Sequence, residues 1–89
     1  MIYRAKRTDN FDKQIRKLDK TTAKQILEYI HDRIDGCENP RAFGKPLLEN
    51  RKGQWRYRIE DYRLICEIKD RELIVLALEV GHRKKVYQK

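Results

Sequence analysis

Near residue 54 the spacing of the apolar residues changes from three and four to two, so one short chain must build both a helical layer and a sheet. Before that point Phe11, Ile15 and Leu18 line one helical stripe, with Thr8, Asp9 and Asn10 as candidate N-caps. Asp19-Lys20-Thr21-Thr22 interrupts the stripe and offers a second cap. Ala23, Ile26, Leu27, Ile30 and Ile34 then recur at helical spacing until Gly36 supplies a stop. The spacing predicts a helical hairpin that shares one apolar stripe. Ile2 to Ala5, ahead of it, is brief and strand-compatible. Cys37 to Pro46 holds both prolines and a glycine and reads as a loop, anchored by Phe43 and Leu47-Leu48.

In the second half Trp55, Tyr57 and Ile59 alternate with Arg56 and Arg58. Glu60-Asp61 makes a tight connection. Tyr62, Leu64, Cys66 and Ile68 then alternate with Arg63, Ile65 and Glu67. After a turn at Lys69-Asp70-Arg71-Glu72, the run Leu73 to Val80 is almost wholly apolar, as expected of a strand covered on both faces. Gly81 closes it, and His82-Arg83-Lys84-Lys85-Val86-Tyr87 follows as a charged tail. The expected fold is a single domain over residues 1–89 of the α+β class. A short N-terminal strand and a helical hairpin pack on a twisted, mainly antiparallel sheet.

Composition narrows the chemistry. Against 14 Asp+Glu the chain carries 22 Lys+Arg, a net charge of +8 that favours a polyanionic partner. Serine is absent, which removes serine-nucleophile mechanisms. No apolar run is long enough for a membrane span and the first residues lack a signal-peptide pattern, so a cytoplasmic protein without a membrane partner is expected. His31, His82, Cys37 and Cys66 show no metal-ligand spacing, and Gly44-Lys45-Pro46 lacks the rest of a P-loop; neither metal nor cofactor is expected. Cys66 reads as a buried thiol, and a Cys37–Cys66 disulfide stays open as an alternative.

Strand alternation puts Arg56 and Arg58 on the face opposite Trp55, Tyr57 and Ile59. Apolar sets must agree between neighbouring strands, so Arg63 joins them. His82 and Arg83 follow the last strand and are expected to reach the same open surface, with Tyr87. Basic residues on a solvated sheet face are the ordinary alternative. Two details favour a phosphate site. Guanidinium forks match phosphate better than ammonium groups do. The charge excess also leans toward the strands: residues 51–89 hold eleven Lys+Arg against six Asp+Glu, residues 1–50 eleven against eight. Such a face could cleave RNA by attack of a 2′-hydroxyl on the adjacent phosphate, given a base, an acid and cations for the phosphorane. His82 and Tyr87 are the titratable candidates.

The segments Asn39-Pro40-Arg41, Gly44-Lys45-Pro46-Leu47, Trp55-Arg56-Tyr57-Arg58-Ile59, Tyr62-Arg63-Leu64, Val80-Gly81-His82-Arg83 and Val86-Tyr87 together resemble the RelE toxin family. The resemblance spans essentially the whole chain. It implies a type II toxin–antitoxin toxin that cuts mRNA in the ribosomal 30S A site, against 16S rRNA, and leaves a 2′,3′-cyclic phosphate. It implies a RelB-like antitoxin that inhibits the toxin and alone contacts operator DNA. By position, Arg56 and Arg58, with Lys84 and Lys85, would hold the RNA backbone. Arg63 and Arg83 would stabilise the scissile phosphate, Tyr87 would orient or deprotonate the 2′-hydroxyl, and His82 would serve as general acid. Glu60-Asp61 departs from the Gly-Asp that relatives often have. Relatives that use a glutamate base place it between the lysine and leucine after the loop glycine; Lys45-Pro46-Leu47 has none and Glu49 is a poor substitute by position, which favours tyrosine over a carboxylate base. Two other readings remain: a ParE-like, non-nuclease inhibitor of DNA gyrase on the same fold, and a plain basic RNA-binding module.

Overall fold

The computed structural model describes residues 1–47 and 53–82. Its elements are β1 (Arg4–Arg7), α1 (Asp9–Arg16), α2 (Lys20–Tyr29) continued by a π-helical turn (Ile30–Ile34), β2 (Lys45–Pro46), β3 (Gln54–Ile59), β4 (Tyr62–Lys69) and β5 (Ile74–His82). The strands form one sheet in the order β1-β5-β4-β3-β2. β2 to β5 pair antiparallel, while β1 lies parallel to β5, so the sheet is mixed.

Local chemistry explains where the helices begin. Of the three candidate caps for α1, Thr8 is the one used: its side-chain oxygen accepts from the Phe11 N–H at 3.1 Å. Asp19 does the same for α2, accepting from Thr22 N–H at 3.2 Å. At the far end of α2 the Asp35 N–H donates to the Ile30 carbonyl at 2.8 Å, and the chain then turns through Gly36 at φ +85°.

α1 lies against β5 and α2 against β3. Phe11, Ile26, Ile30 and Ile34 meet Tyr57, Ile59, Leu64, Cys66, Ile68, Val75, Ala77 and Val80 in one core. Each large apolar side chain fully buried there contributes about 1.5–3 kcal/mol. Tyr57 is completely buried, and its hydroxyl donates to the Pro40 carbonyl at 2.6 Å. Trp55 Nε1 donates to the Phe43 carbonyl at 2.8 Å. Phe43 packs against both Tyr29 and Tyr57, with ring centroids 6.2 Å and 5.5 Å away. These contacts strap the loop before β2 across β3. Its other end is held by Arg41, which forks onto Asp70 at 2.9 Å and 3.0 Å, while Tyr3 Oη donates to the same carboxylate at 2.7 Å. Cys37 and Cys66 are free thiols.

Two expectations change. The strand buried on both faces is β4 between Arg63 and Cys66, not the apolar run of β5, whose burial alternates. β4 is the middle strand and has β3 and β5 beside it over most of its length, whereas β1 flanks only Ile74 to Ala77 of β5. Second, β5 carries a bulge. Ile65 pairs with Glu79 but Cys66 pairs with Ala77, which leaves Leu78 as an extra residue. α1 satisfies the polar groups around it. Thr8 Oγ1 donates to the Ala77 carbonyl at 2.9 Å, Asn10 Nδ2 donates to the Leu78 carbonyl at 3.0 Å, and the Val80 N–H donates to Gln14 Oε1 at 2.6 Å.

Candidate functional site

Register decides which side chains share the face away from the helices. Arg58 stands opposite Arg63 across β3 and β4, and Arg56 stands opposite Ile65. The two strands therefore bring all three arginines to one face, as their alternation predicts. The short β2 adds Lys45, paired with Arg56. Beside it, Gly44 lets the backbone press close: at φ +82°, a Cβ there would lie 2.6 Å from Trp55 Nε1 and would overlap the Arg56 carbonyl. The result is a recess of about 270 Å³ lined by Tyr29, Gly44, Lys45, Arg56, Arg58 and Arg63.

Its cations differ in exposure. Arg58 is open to solvent and Arg56 is half-buried, whereas Arg63 is only 8% exposed. The expectation of an open face is corrected to this extent: Arg63 and the fully buried Ile65 sit on the covered middle strand. A guanidinium so placed has lost most of its water, so an anion that reaches it interacts through a lower dielectric than at the surface. Tyr29 closes the recess from the helical layer. Burial holds its phenol above the ordinary tyrosine range, with Arg33 partly opposing the shift, so at neutral pH it is a protonated, neutral donor.

His82 is a second correction. It pairs with Tyr62, and the two rings meet edge to face with centroids 5.6 Å apart. Tyr62 belongs to the apolar set that faces the helices, so His82 sits on the opposite side from the arginines. The bulge at Leu78 is the reason, because one extra residue inverts the alternation of everything after it. Glu79 and Gly81 turn instead toward the arginine face, opposite Ile65 and Arg63. Arg83, Lys84, Lys85 and Tyr87 lie outside the described residues.

Sequence reasoning overlooked Lys45 and Tyr29 as neighbours of the arginines. Lys45 carries no strand signal of its own, because Pro46 follows it and the pairing spans two residues. Tyr29 reads as one more position on a helix. Among the described residues, no three His, Cys, Asp or Glu side chains gather as a metal site, and no helix is long and apolar enough to cross a membrane.

Mixed sheet, helical layer and cationic recess together define a small toxin fold of the RelE type. The chain belongs to the ParE toxin family of type II toxin–antitoxin systems, within the RelE/ParE superfamily; the family pattern of the parDE system's ParE toxin matches residues 5–87. Among solved structures it is similar to the RelBE2 toxin–antitoxin complex of Mycobacterium tuberculosis, with 27% identity, a TM-score of 0.84, and 93% of this chain and 94% of that chain covered. It is also similar in fold to a variant of the Escherichia coli toxin RelE in the free state (23% identity, TM-score 0.75, 96% of this chain and 87% of that one). The toxin–antitoxin complex RelE–RelB of Pyrococcus horikoshii gives 24% identity and a TM-score of 0.66, covering 93% and 97% of the two chains. No curated protein sequence matches the chain.

Proposed function

We propose that this toxin is a metal-independent mRNA endoribonuclease that acts in the ribosomal A site in the cytoplasm. The observation that carries the reading is the recess in which Arg63, shielded from water, is ringed by Arg56, Arg58 and Lys45. In the proposed reaction the RNA 2′-oxygen attacks the adjacent phosphorus and the bond to the 5′-oxygen breaks, giving a 2′,3′-cyclic phosphate and a 5′-hydroxyl. Tyr87 takes the 2′-hydroxyl proton. Arg63 and Arg83 stabilise the phosphorane, a role worth about 10²–10³ in rate per preorganised donor. Arg56 and Arg58, helped by Lys84 and Lys85, grip the flanking backbone. The general-acid role of His82 requires the leaving 5′-oxygen to reach round the end of β5, since the imidazole stands on the Tyr62 side.

A RelB-like antitoxin is the proposed partner. A net charge of +8 suits an acidic, partly disordered chain that folds as it binds, with operator DNA contacted through that partner alone. Purified toxin added to ribosomes programmed with a defined A-site codon should cut the mRNA and leave cyclic phosphate ends. Parent-like cleavage by both Arg63→Ala and Tyr87→Phe sinks the site assignment.

The matching family is named for ParE, and this favours one second reading, a non-nuclease inhibitor of DNA gyrase. Pulse labelling after induction separates the two. A nuclease stops amino-acid incorporation first, whereas a gyrase inhibitor leaves it running while DNA breaks accumulate.

A further inference from the structure

The recess draws its lining from both layers of the fold because β2 is short. β2 pairs only with Trp55 and Arg56, so among the described residues no strand flanks β3 from Tyr57 to Ile59. Tyr29 of α2 packs on Tyr57 there, ring centroids 6.1 Å apart, and lines the recess with Gly44, Lys45, Arg56, Arg58 and Arg63. Its ring is held on two further sides, by the edge contact with Phe43 and by Arg33, whose guanidinium carbon lies 5.7 Å from the ring centroid. The hydroxyl is not tied down in the same way. Tyr57 Oη donates to the Pro40 carbonyl and Tyr3 Oη to Asp70, but among the described residues none accepts from Tyr29 Oη. A hydroxyl partly withdrawn from water gains from any ligand that brings it an acceptor.

The surrounding side chains cannot be that acceptor, since guanidinium and ammonium groups only donate. Four cations and one neutral phenol thus line the same small space, and all five are donors. The ligand complementary to such a set carries negative charge and several acceptor oxygens, as a phosphodiester does. We infer that Tyr29 is a substrate-contacting residue whose hydroxyl donates to an oxygen of the RNA phosphodiester held among the cations of the recess. The inference rests on the nuclease reading above in taking RNA as the ligand. A neutral donor on a fixed ring differs from the arginines in what it adds. It gives direction to the bound phosphate and releases no counterion, so its share of the affinity does not fade as salt rises.

The full-length parent, Tyr29→Phe and Arg58→Ala are titrated with a 2′-fluoro oligoribonucleotide, which lacks the attacking hydroxyl, over a range of salt. Tyr29→Phe keeps the ring contacts and should bind about tenfold more weakly at every salt concentration, the loss of one hydrogen bond to a charged acceptor. Arg58→Ala should also bind more weakly, but with a salt slope shallower by about 0.7. In the parent, the NMR resonance of the Tyr29 ring carbon that bears the hydroxyl should move as RNA is added, while that of Tyr57 stays. Equal affinity of Tyr29→Phe and parent, or a Tyr29 resonance that RNA does not move, overturns the inference. Inorganic phosphate is the second probe: a Tyr29 effect seen with phosphate and not with RNA makes the recess a site for free anions and overturns it too. A tenfold loss with RNA, in a toxin whose parent leaves A-site mRNA intact, upholds the contact and overturns the nuclease reading alone.

Discussion

Arg58 and Arg63 face each other directly across the β3–β4 ladder, two guanidinium groups at one register position. Like charges in that relation oppose strand pairing. Both side chains point away from the core, and the proposed nuclease function uses them as a pair of cations held ready for an anion.

Arg58→Thr should therefore stabilise the fold by about 0.2–1 kcal/mol, the usual range for a cross-strand pair. For a domain of this size that is a rise of a few °C, roughly 1–8, in Tm. The same change should weaken RNA binding. Added phosphate should raise the Tm of the parent more than that of the variant, since an anion bound only to the folded state stabilises it. A lower Tm for Arg58→Thr in low salt would contradict the assignment.

Two glycines with almost the same φ should respond very differently to alanine. Gly36 at φ +85° has open space within 4 Å of where a methyl would sit, so Gly36→Ala should cost only the left-handed backbone penalty, about 1–2 kcal/mol. Gly44 at φ +82° would drive its methyl into the Arg56 carbonyl and to 2.6 Å from Trp55 Nε1. Overpacking adds about 1–3 kcal/mol there and pushes Lys45 off the recess. Urea titrations of the two variants should show the larger loss for Gly44→Ala, and RNA affinity should fall for that one alone.

The β3–β4 turn stores strain at one residue. Glu60 has φ +56°, while its neighbour Asp61 does not share the left-handed region. Glu60→Gly relieves a cost of about 1–2 kcal/mol and gives back part of it through the greater freedom of the unfolded chain. A net gain of about 0.5 kcal/mol should appear in thermal melts, whereas Asp61→Gly should lower Tm.

Alkali should unfold the protein earlier than its surface charge suggests. Burial pushes the Cys66 thiol well above its ordinary 9.0 and the Tyr57 phenol well above 10.0. Both groups stay protonated in the fold and ionise more readily once unfolded. The stability they add is thus full at neutral pH and falls as pH rises through about 9 for the thiol and about 10 for the phenol. Each should steepen the decline by up to about 1.4 kcal/mol per pH unit. Denaturant midpoints measured from neutral to alkaline pH should show the early part of that decline flattened in Cys66→Ala, and an identical profile would refute the link.

The strand pattern alone was enough to bring Arg56, Arg58 and Arg63 together, because polar and apolar residues alternate through β3 and, apart from Ile65, through β4, and leave one workable register. The two helices and their caps were legible for a similar reason: Thr8 and Asp19 stand just ahead of stripes spaced for one face. Tertiary structure decided what those signals do not reach. Lys45 joins the site because Tyr57 and Trp55 hydrogen-bond the carbonyls of Pro40 and Phe43 and lay the loop along β3. β1 runs parallel to β5, a direction that four residues of strand do not announce. In the run from Leu73 to Val80 only Glu79 is polar, so the chain carries almost no mark of which side is in, and an inserted residue leaves no trace. Hydrogen bonds from α1 and its cap, with the burial of Val80, hold the bulged phase, which sends His82 to Tyr62 and Glu79 to the arginine face.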